Sequence, residues 1–280
     1  MINNNLNYPF LLVSILILSA FCHVSYSAPL ELQGSLQQGG LVIGKVPRGH
    51  QVIYQQNRLK LTPNGQFLLG LGRDAPTQIE ITIINPDSQR LVEVLSIASR
   101  EYNIQRIEGV PQTTVTPSET DLKRIRIDIA LVKNARKEIT DRMDFLLGFK
   151  EPDIGPITGI YGSQRYYNGV PKSPHYGIDY AAPTGTAVKA PAGGQVTLAH
   201  NDLFYSGGTL IIDHGHGLSS TFLHLSEIVV ELGQIVKPDQ VIGKVGSTGR
   251  ATGPHLDWRM NWRDQRIDPK LVLQALPRAN

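Results

Sequence analysis

The stretch "GGTLIIDHGHGLSSTFLHL", residues 207–225, decides the fold. Apolar and polar residues alternate along it, and Thr209, Ile211, Ile212 and Thr221 are β-branched, which favours strands. On either side, from Ile154 onward, the chain is rich in glycine and turn residues and has no helical period. Residues 229–249, "VVELGQIVKPDQVIGKVGSTG", predict a tight pair of short strands around Lys237-Pro238-Asp239-Gln240. Residues 151–280 are therefore expected to form a mostly β domain. Six histidines fall in it: His175, His200, His214, His216, His224 and His255.

The N-terminal part is also strand-like. "QVIYQQNRLKLTPNGQFLLGLG" (51–72) predicts a hairpin about Pro63-Asn64-Gly65, and "IEITIINPDSQRLVEVLSI" (79–97) predicts another about Pro86-Asp87-Ser88. Residues 28–115 read as a small β-module with no catalytic constellation. "VPQTTVTPSET" (110–120) is a Pro/Thr-rich linker, after which the period changes. Leu122, Ile125, Ile129, Val132, Ile139, Met143 and Leu146 follow 3/4 spacing, interrupted at Arg136. This predicts one amphipathic helix of about 25 residues, capped by Ser118 or Thr120 and lying on a neighbouring domain. The linker and this helix make up residues 116–150. The expected class is mainly β, with two β domains joined by a long amphipathic helix.

Composition is that of an ordinary globular protein, 41% hydrophobic and 18% charged, with a net charge of +3. No Lys/Arg run of the kind that lines a nucleic-acid groove is present, so nucleic acid is not an expected partner. Residues 1–27 carry an apolar run from Phe10 to near Cys22, then Ser25, Ser27 and Ala28. This is the pattern of a secretory signal peptide, although no Lys or Arg precedes the run. The chain is expected to be exported. Cys22 is its only cysteine, so the mature chain would have none, and any metal must be held by His, Asp or Glu.

Three segments could build such a site. In "SPHYGIDYAAPTGT" (173–186), His175 and Asp179 lie four apart in a run too rich in Gly and Pro for a helix. Together they offer one nitrogen and one oxygen to a borderline cation, or form a simple His–Asp hydrogen bond. His224 ends an alternating strand, where it faces a cleft or is a core histidine satisfied by backbone. In "TGPHLDW" (252–258), His255 and Asp257 alternate along a strand and share one face.

Residues 154–272 resemble the LytM/lysostaphin-type zinc endopeptidases, which cleave peptides of bacterial peptidoglycan. The segments that carry the resemblance occur in family order: "GIYGSQR", "NGVPKSPHYGIDYAAPTGTAVKAPAGGQV", "GGTLIIDHGHGLSSTFLHLS", "ELGQIVKPDQVIGKVGSTGRATGPHLDW" and "RIDPKLVL". The layout also resembles Gram-negative envelope members with an N-terminal β-module. The resemblance implies a LytM-like antiparallel β-sheet or sandwich with a metal cleft, a Zn²⁺ cofactor, peptidoglycan peptide cross-links as substrate, and a periplasmic or cell-envelope location. It makes His175 and Asp179 the first two zinc ligands and His224 and His255 the catalytic histidines. Arg165 becomes a candidate substrate contact, with a structural salt bridge as the alternative.

The third ligand of that family is the second histidine of a His-x-His, and here it is Asp257. Three readings follow. Asp257 is itself a ligand, since a carboxylate oxygen lies as many bonds from Cα as histidine Nδ1. Two carboxylates would then neutralise the dication, leaving bound water less acidic and activity lower or shifted to higher pH. Alternatively, the site binds metal poorly and the domain is a catalytically silent murein-binding unit that regulates an envelope amidase or divisome partner. In the third, His214 or His216 supplies the missing ligand. The first is the reading adopted: metal at His175, Asp179 and Asp257.

Overall fold

A computed structural model describes residues 30–109, 116–152 and 154–276 of the chain; the expected signal segment with Cys22, and residues 110–115 of the linker, lie outside them. The architecture is mainly β. An eight-stranded sheet runs in the order Ile235–Val236, Gly194–Leu203, Gly207–Gly215, Leu218–Leu225, His255–Trp262, Gly177–Ala181, Ile157–Gly159, with Gln265–Ile267 added beside His255–Trp262. Every pairing within it is antiparallel.

Its two central strands are buried at every residue. Alternation in an antiparallel strand ordinarily marks one solvated face. Here the polar positions are covered instead, two of them by residues 136–142: Asp213 Oδ2 accepts from Thr140 Oγ1 at 2.5 Å, and Thr221 Oγ1 accepts from Arg136 Nη2 at 2.7 Å.

That covering segment corrects the expected long helix. Helix α1 spans Glu119–Asn134, 16 residues, with a capping box in which Ser118 and Asp121 satisfy each other's backbone amides. Past Asn134 the chain leaves the helix, and only a short 3₁₀ turn, Asp144–Leu147, follows. The reason is visible at Arg136. A cation in the apolar stripe cannot lie against Leu198, Leu203 and Ile211 as Val132 and Ala135 do, and it turns instead to Thr221. Phe145 then docks separately, fully buried, with its ring centroid 5.1 Å from that of His216. The stripe is only partly used, for Ile125 is buried whereas Ile129 is 61% exposed.

The N-terminal strands form a three-stranded sheet (Glu31–Gly34, Leu41–Lys45, Gln66–Gly70) and a four-stranded one (Asn57–Arg58, Gln51–Tyr54, Gln78–Ile84, Arg90–Ser96). The hairpin about Pro86-Asp87-Ser88 is present, pairing Ile84 with Arg90. The one about Pro63-Asn64-Gly65 is not: the turn exists, with Gly65 N donating to Thr62 O, but Gln66–Gly70 pairs with Leu41–Lys45. Both strands are almost wholly buried and apolar, so matching of buried faces overrides proximity along the chain. Likewise the strands flanking Lys237–Gln240 join different sheets, Ile235–Val236 pairing with Gly194–Leu203 and Val241–Lys244 with Ala187–Lys189 and Glu227–Ile228.

One hydrophobic cluster runs from Leu41 to Leu276. Tyr54 meets Trp262 at 6.2 Å between centroids, and helix α2 (Pro269–Ala275), capped by Asp268, docks on the N-terminal strands through Ala275 and an Arg100–Asp268 ion pair of 3.0 Å. A parallel strand pair, Ile104–Ile107 with Gln164–Tyr167, lays the end of the N-terminal part along the rim of the C-terminal groove.

Candidate metal centre

Asp179 is the middle residue of Gly177–Ala181, and Asp257 lies directly opposite it on His255–Trp262. Like charges facing each other across a strand pair destabilise a sheet unless something compensates them. His175 precedes the first strand and is pinned by its own backbone, its N donating to Ser163 O at 2.8 Å and its O accepting from Gly162 N at 2.7 Å. One ligand atom from each of His175, Asp179 and Asp257 lies within 4.8 Å of the others, and all three residues are buried.

Two glycines make the room. A Cβ at Gly177 would stand 2.4 Å from Asp257 Oδ1, and one at Gly159 would stand 2.1 Å from Asp179 Oδ2. Only a residue without a side chain lets the neighbouring backbone approach these carboxylates so closely.

Each carboxylate has an arginine. Arg165 Nη2 donates to Asp179 Oδ2 at 2.8 Å. Arg259 embraces Asp257 with three hydrogen bonds: Nε to Oδ1 at 2.9 Å, Nε to Oδ2 at 3.1 Å, and Nη2 to Oδ2 at 2.5 Å. Burial would push the Asp257 carboxyl up, but the Arg259 guanidinium outweighs it and holds the group well below the usual carboxylate range. Asp179 is raised by burial and by Asp257, yet His175 and Arg165 bring it below its ordinary value.

Three buried atoms are left without a hydrogen-bond partner: both ring nitrogens of His175, and Asp179 Oδ1. His175 Nε2 stands 3.1 Å from Asp179 Oδ1, but the two are not aligned as donor and acceptor. Buried polar atoms without partners are rare and costly. A divalent cation satisfies this arrangement, because it requires converging lone pairs rather than a shared proton. Asp257 fits the same set, since a carboxylate offers about four lone-pair directions and Arg259 does not exhaust them. One nitrogen and two oxygens with an open fourth position suit a borderline cation.

His224 and His255 flank this cluster, with ring centroids 4.8 Å apart. His224 Nδ1 donates to Thr248 O and His255 Nδ1 to Gly253 O, both at 2.8 Å. A carbonyl can only accept, so the proton sits on Nδ1 and Nε2 keeps its lone pair. His255 Nε2 is 4.0 Å from Asp179 Oδ1. Burial, more than any charge, lowers the His224 pKa to about 4, so the ring is neutral at neutral pH. His224 adopts φ 63°, and this left-handed residue turns its side chain out of the strand alternation toward the groove.

His214 lies elsewhere, its Nδ1 against Gly193 O at 2.6 Å and Nε2 against Ser220 Oγ at 2.8 Å, edge-on to Phe149. His216 stacks near Phe145. Neither belongs to the His175–Asp179–Asp257 group, which removes them as substitutes for the third ligand. Arg165 makes a salt bridge with Asp179 and a hydrogen bond to Gln105, and it lines the groove beside His224 and His255. Arg259 carries no motif of its own in the sequence, although its place two residues after Asp257 on one strand puts it on the same face.

Residues 173–269 match the model of Peptidase family M23. Peptidoglycan DD-endopeptidase ShyA of Vibrio cholerae is 41% identical over 96 residues, 34% of this chain and 22% of that protein. DD-carboxypeptidase/endopeptidase Mpg of Neisseria meningitidis is 44% identical over 103 residues, 37% of this chain and 23% of that protein. The matched region thus spans less than a quarter of these curated relatives. A crystal structure from Pseudomonas aeruginosa, described as an M23 peptidase, superimposes with a TM-score of 0.68 at 30% identity, covering 87% of this chain and 97% of that one.

Proposed function

The chain belongs to peptidase family M23, and from that premise we propose that it is a zinc-dependent murein endopeptidase that hydrolyses peptide bonds in peptidoglycan cross-links. The observation that carries this reading is the buried His175–Asp179–Asp257 group, with atoms lacking a hydrogen-bond partner, beside two histidines whose tautomers are fixed. The names of the relatives, peptidoglycan DD-endopeptidase among them, supply the substrate class. The cell envelope is the place of action, reached through the export segment read at residues 1–27.

When bound at these three residues, Zn²⁺ supplies a Lewis acid for the scissile carbonyl and lowers the pKa of a water molecule. The chain's own groups do the rest. His224 and His255 present Nε2 lone pairs, so either ring takes a proton from the attacking water and returns it to the leaving amine. Once protonated, an imidazole donates to the developing oxyanion. Asp179 and Asp257 together bring two negative charges, and the guanidinium on Asp257 offsets one. Arg165 offsets the other, so Asp257 with Arg259 adds no more net charge than a neutral histidine in its place would. This removes the electronic objection to aspartate as the third ligand.

Metal analysis of the purified protein, paired with an assay on cross-linked muropeptides, tests the reading. One zinc per chain, lost in Asp257→Ala together with cleavage, is the expected result. A metal-free protein that cleaves nothing would return the chain to the role of a silent murein-binding domain. Asp257→His strands Arg259 without a partner, so activity should fall rather than rise.

A further inference from the structure

Beneath helix α1 lies a cavity of about 340 Å³ that continues the face of the sheet from the metal centre, its wall including Leu223 and Arg259. Asp257 and Leu223 are cross-strand neighbours, so the cavity begins one residue pair from the proposed ligand. Its lining is cationic. Arg136, Arg259, Arg263 and Arg266 face it with Lys133, whereas the acids are Asp128 and Asp264. Asp128 is already used, accepting from Phe204 N at 2.7 Å, and Arg259 is committed to Asp257.

The donors that remain are poorly satisfied. The buried Nε atoms of Arg136 and Arg263 have no acceptor, and neither side chain has a carboxylate partner among the described ion pairs. Among the described residues Arg136 makes one side-chain hydrogen bond, to Thr221. Burial, with Arg266 and Arg259 nearby, lowers Arg136 to about 9, and burial with Arg259 lowers Arg266 to about 10. Arginines that outnumber the acids in one recess repel each other, with Asp264 offsetting only part of the charge, and an anion would relieve the remaining repulsion while filling the empty donors.

We propose that this cavity is a specificity subsite that takes a free carboxylate of the murein peptide, close to the bond held at the metal centre. The proposal rests on the endopeptidase reading. Arg136 and Arg263 are the residues that read the charge, whereas Arg259 sits between the subsite and Asp257 and couples them. The apolar wall from Ile125, Val132 and Leu203 shields the contact from water and so strengthens it.

The experiment is calorimetric titration of the zinc-loaded full chain with an uncross-linked murein tetrapeptide and with the same peptide amidated at every carboxyl. Inorganic phosphate serves as a separate probe. The free acid should bind roughly ten- to a hundredfold more tightly than the amide, as charge-assisted hydrogen bonds imply. Arg136→Met and Arg263→Met should each bring that ratio close to one with zinc content unchanged. Circular dichroism checks the fold, and Arg263→Met, nearer solvent, carries the test if Arg136→Met does not fold. Equal binding of acid and amide by the wild type, or a ratio that survives in the folded variants, overturns the proposal. So does phosphate binding that depends on these arginines while the two peptides bind alike, since the cavity then takes a free anion. A chain that cleaves muropeptides but ignores the amidation loses the subsite alone. A chain that cleaves none yet discriminates through Arg136 keeps the subsite and loses the endopeptidase reading.

Discussion

Replacing Arg259 by leucine isolates the pair on which the centre turns. Asp257 is 1% exposed, and Arg259 supplies its three side-chain hydrogen bonds. Removing one partner of a buried pair leaves an uncompensated charge and costs about 3–5 kcal/mol. For a chain of this size 1 kcal/mol moves the melting temperature by about 2–4 °C, so the metal-free variant should melt about 6–20 °C lower. Zinc alters the outcome, because a cation bound to Asp257 restores the missing positive charge. The gap between wild type and variant should therefore narrow by at least half when zinc is added, beyond the general stabilisation that any ligand confers. Thermal denaturation followed by circular dichroism, with chelator and with excess zinc, gives both numbers. A metal-free variant melting within about 2 °C of wild type would show that the pair contributes little. A gap that zinc leaves unchanged would show that Asp257 is not a ligand, and the reasoning fails.

Other expectations follow from contacts already described. Gly177→Ala would drive a Cβ to 2.4 Å from Asp257 Oδ1, so zinc content measured by atomic absorption should fall sharply while far-ultraviolet dichroism is retained. Gly70→Ala would press on Trp262 Cβ at 2.5 Å, and overpacking there should lower stability in urea by about 1–3 kcal/mol. Acidification tests His214, whose pKa burial lowers to about 4. The unfolded imidazole takes a proton as pH falls through about 6.5 and the native one does not until about 4. Stability is thus lost across that window, by up to about 3 kcal/mol from this group. In His214→Gln the metal-free protein should show a correspondingly smaller drop between pH 7 and pH 4; an unchanged drop would assign the loss to other groups.

The β character of residues 207–225, the Pro86–Ser88 turn and a helix cap at Ser118 or Thr120 are legible in the sequence because each depends on neighbours a few residues away, and the structure places the cap at Ser118. The partner of Gln66–Gly70 is not legible, since two buried apolar strands select each other across the fold. Helix length is not legible at Arg136, because the spacing shows one interruption in the stripe but not that the cation has its own destination on Thr221. The pairing of Asp257 with Arg259 was in plain view as "DWR", two residues apart on one strand. The glycines that admit the carboxylates could not be read, because what a Cβ would strike is set by a neighbouring strand.

The Ile104–Ile107 strand gives this fold a practical indivisibility. The segment matched by the family begins at residue 173, yet Ser163 and Gly162 anchor the His175 backbone and Arg165 neutralises Asp179 from outside it. Gln105, on the parallel neighbour, in turn accepts from Arg165 Nε at 3.2 Å. A graft of the matched segment alone would carry His175, Asp179 and Asp257 without the groups that aim them. Transplanting the centre intact therefore requires residues 104–107 and 159–165 as well as the matched segment.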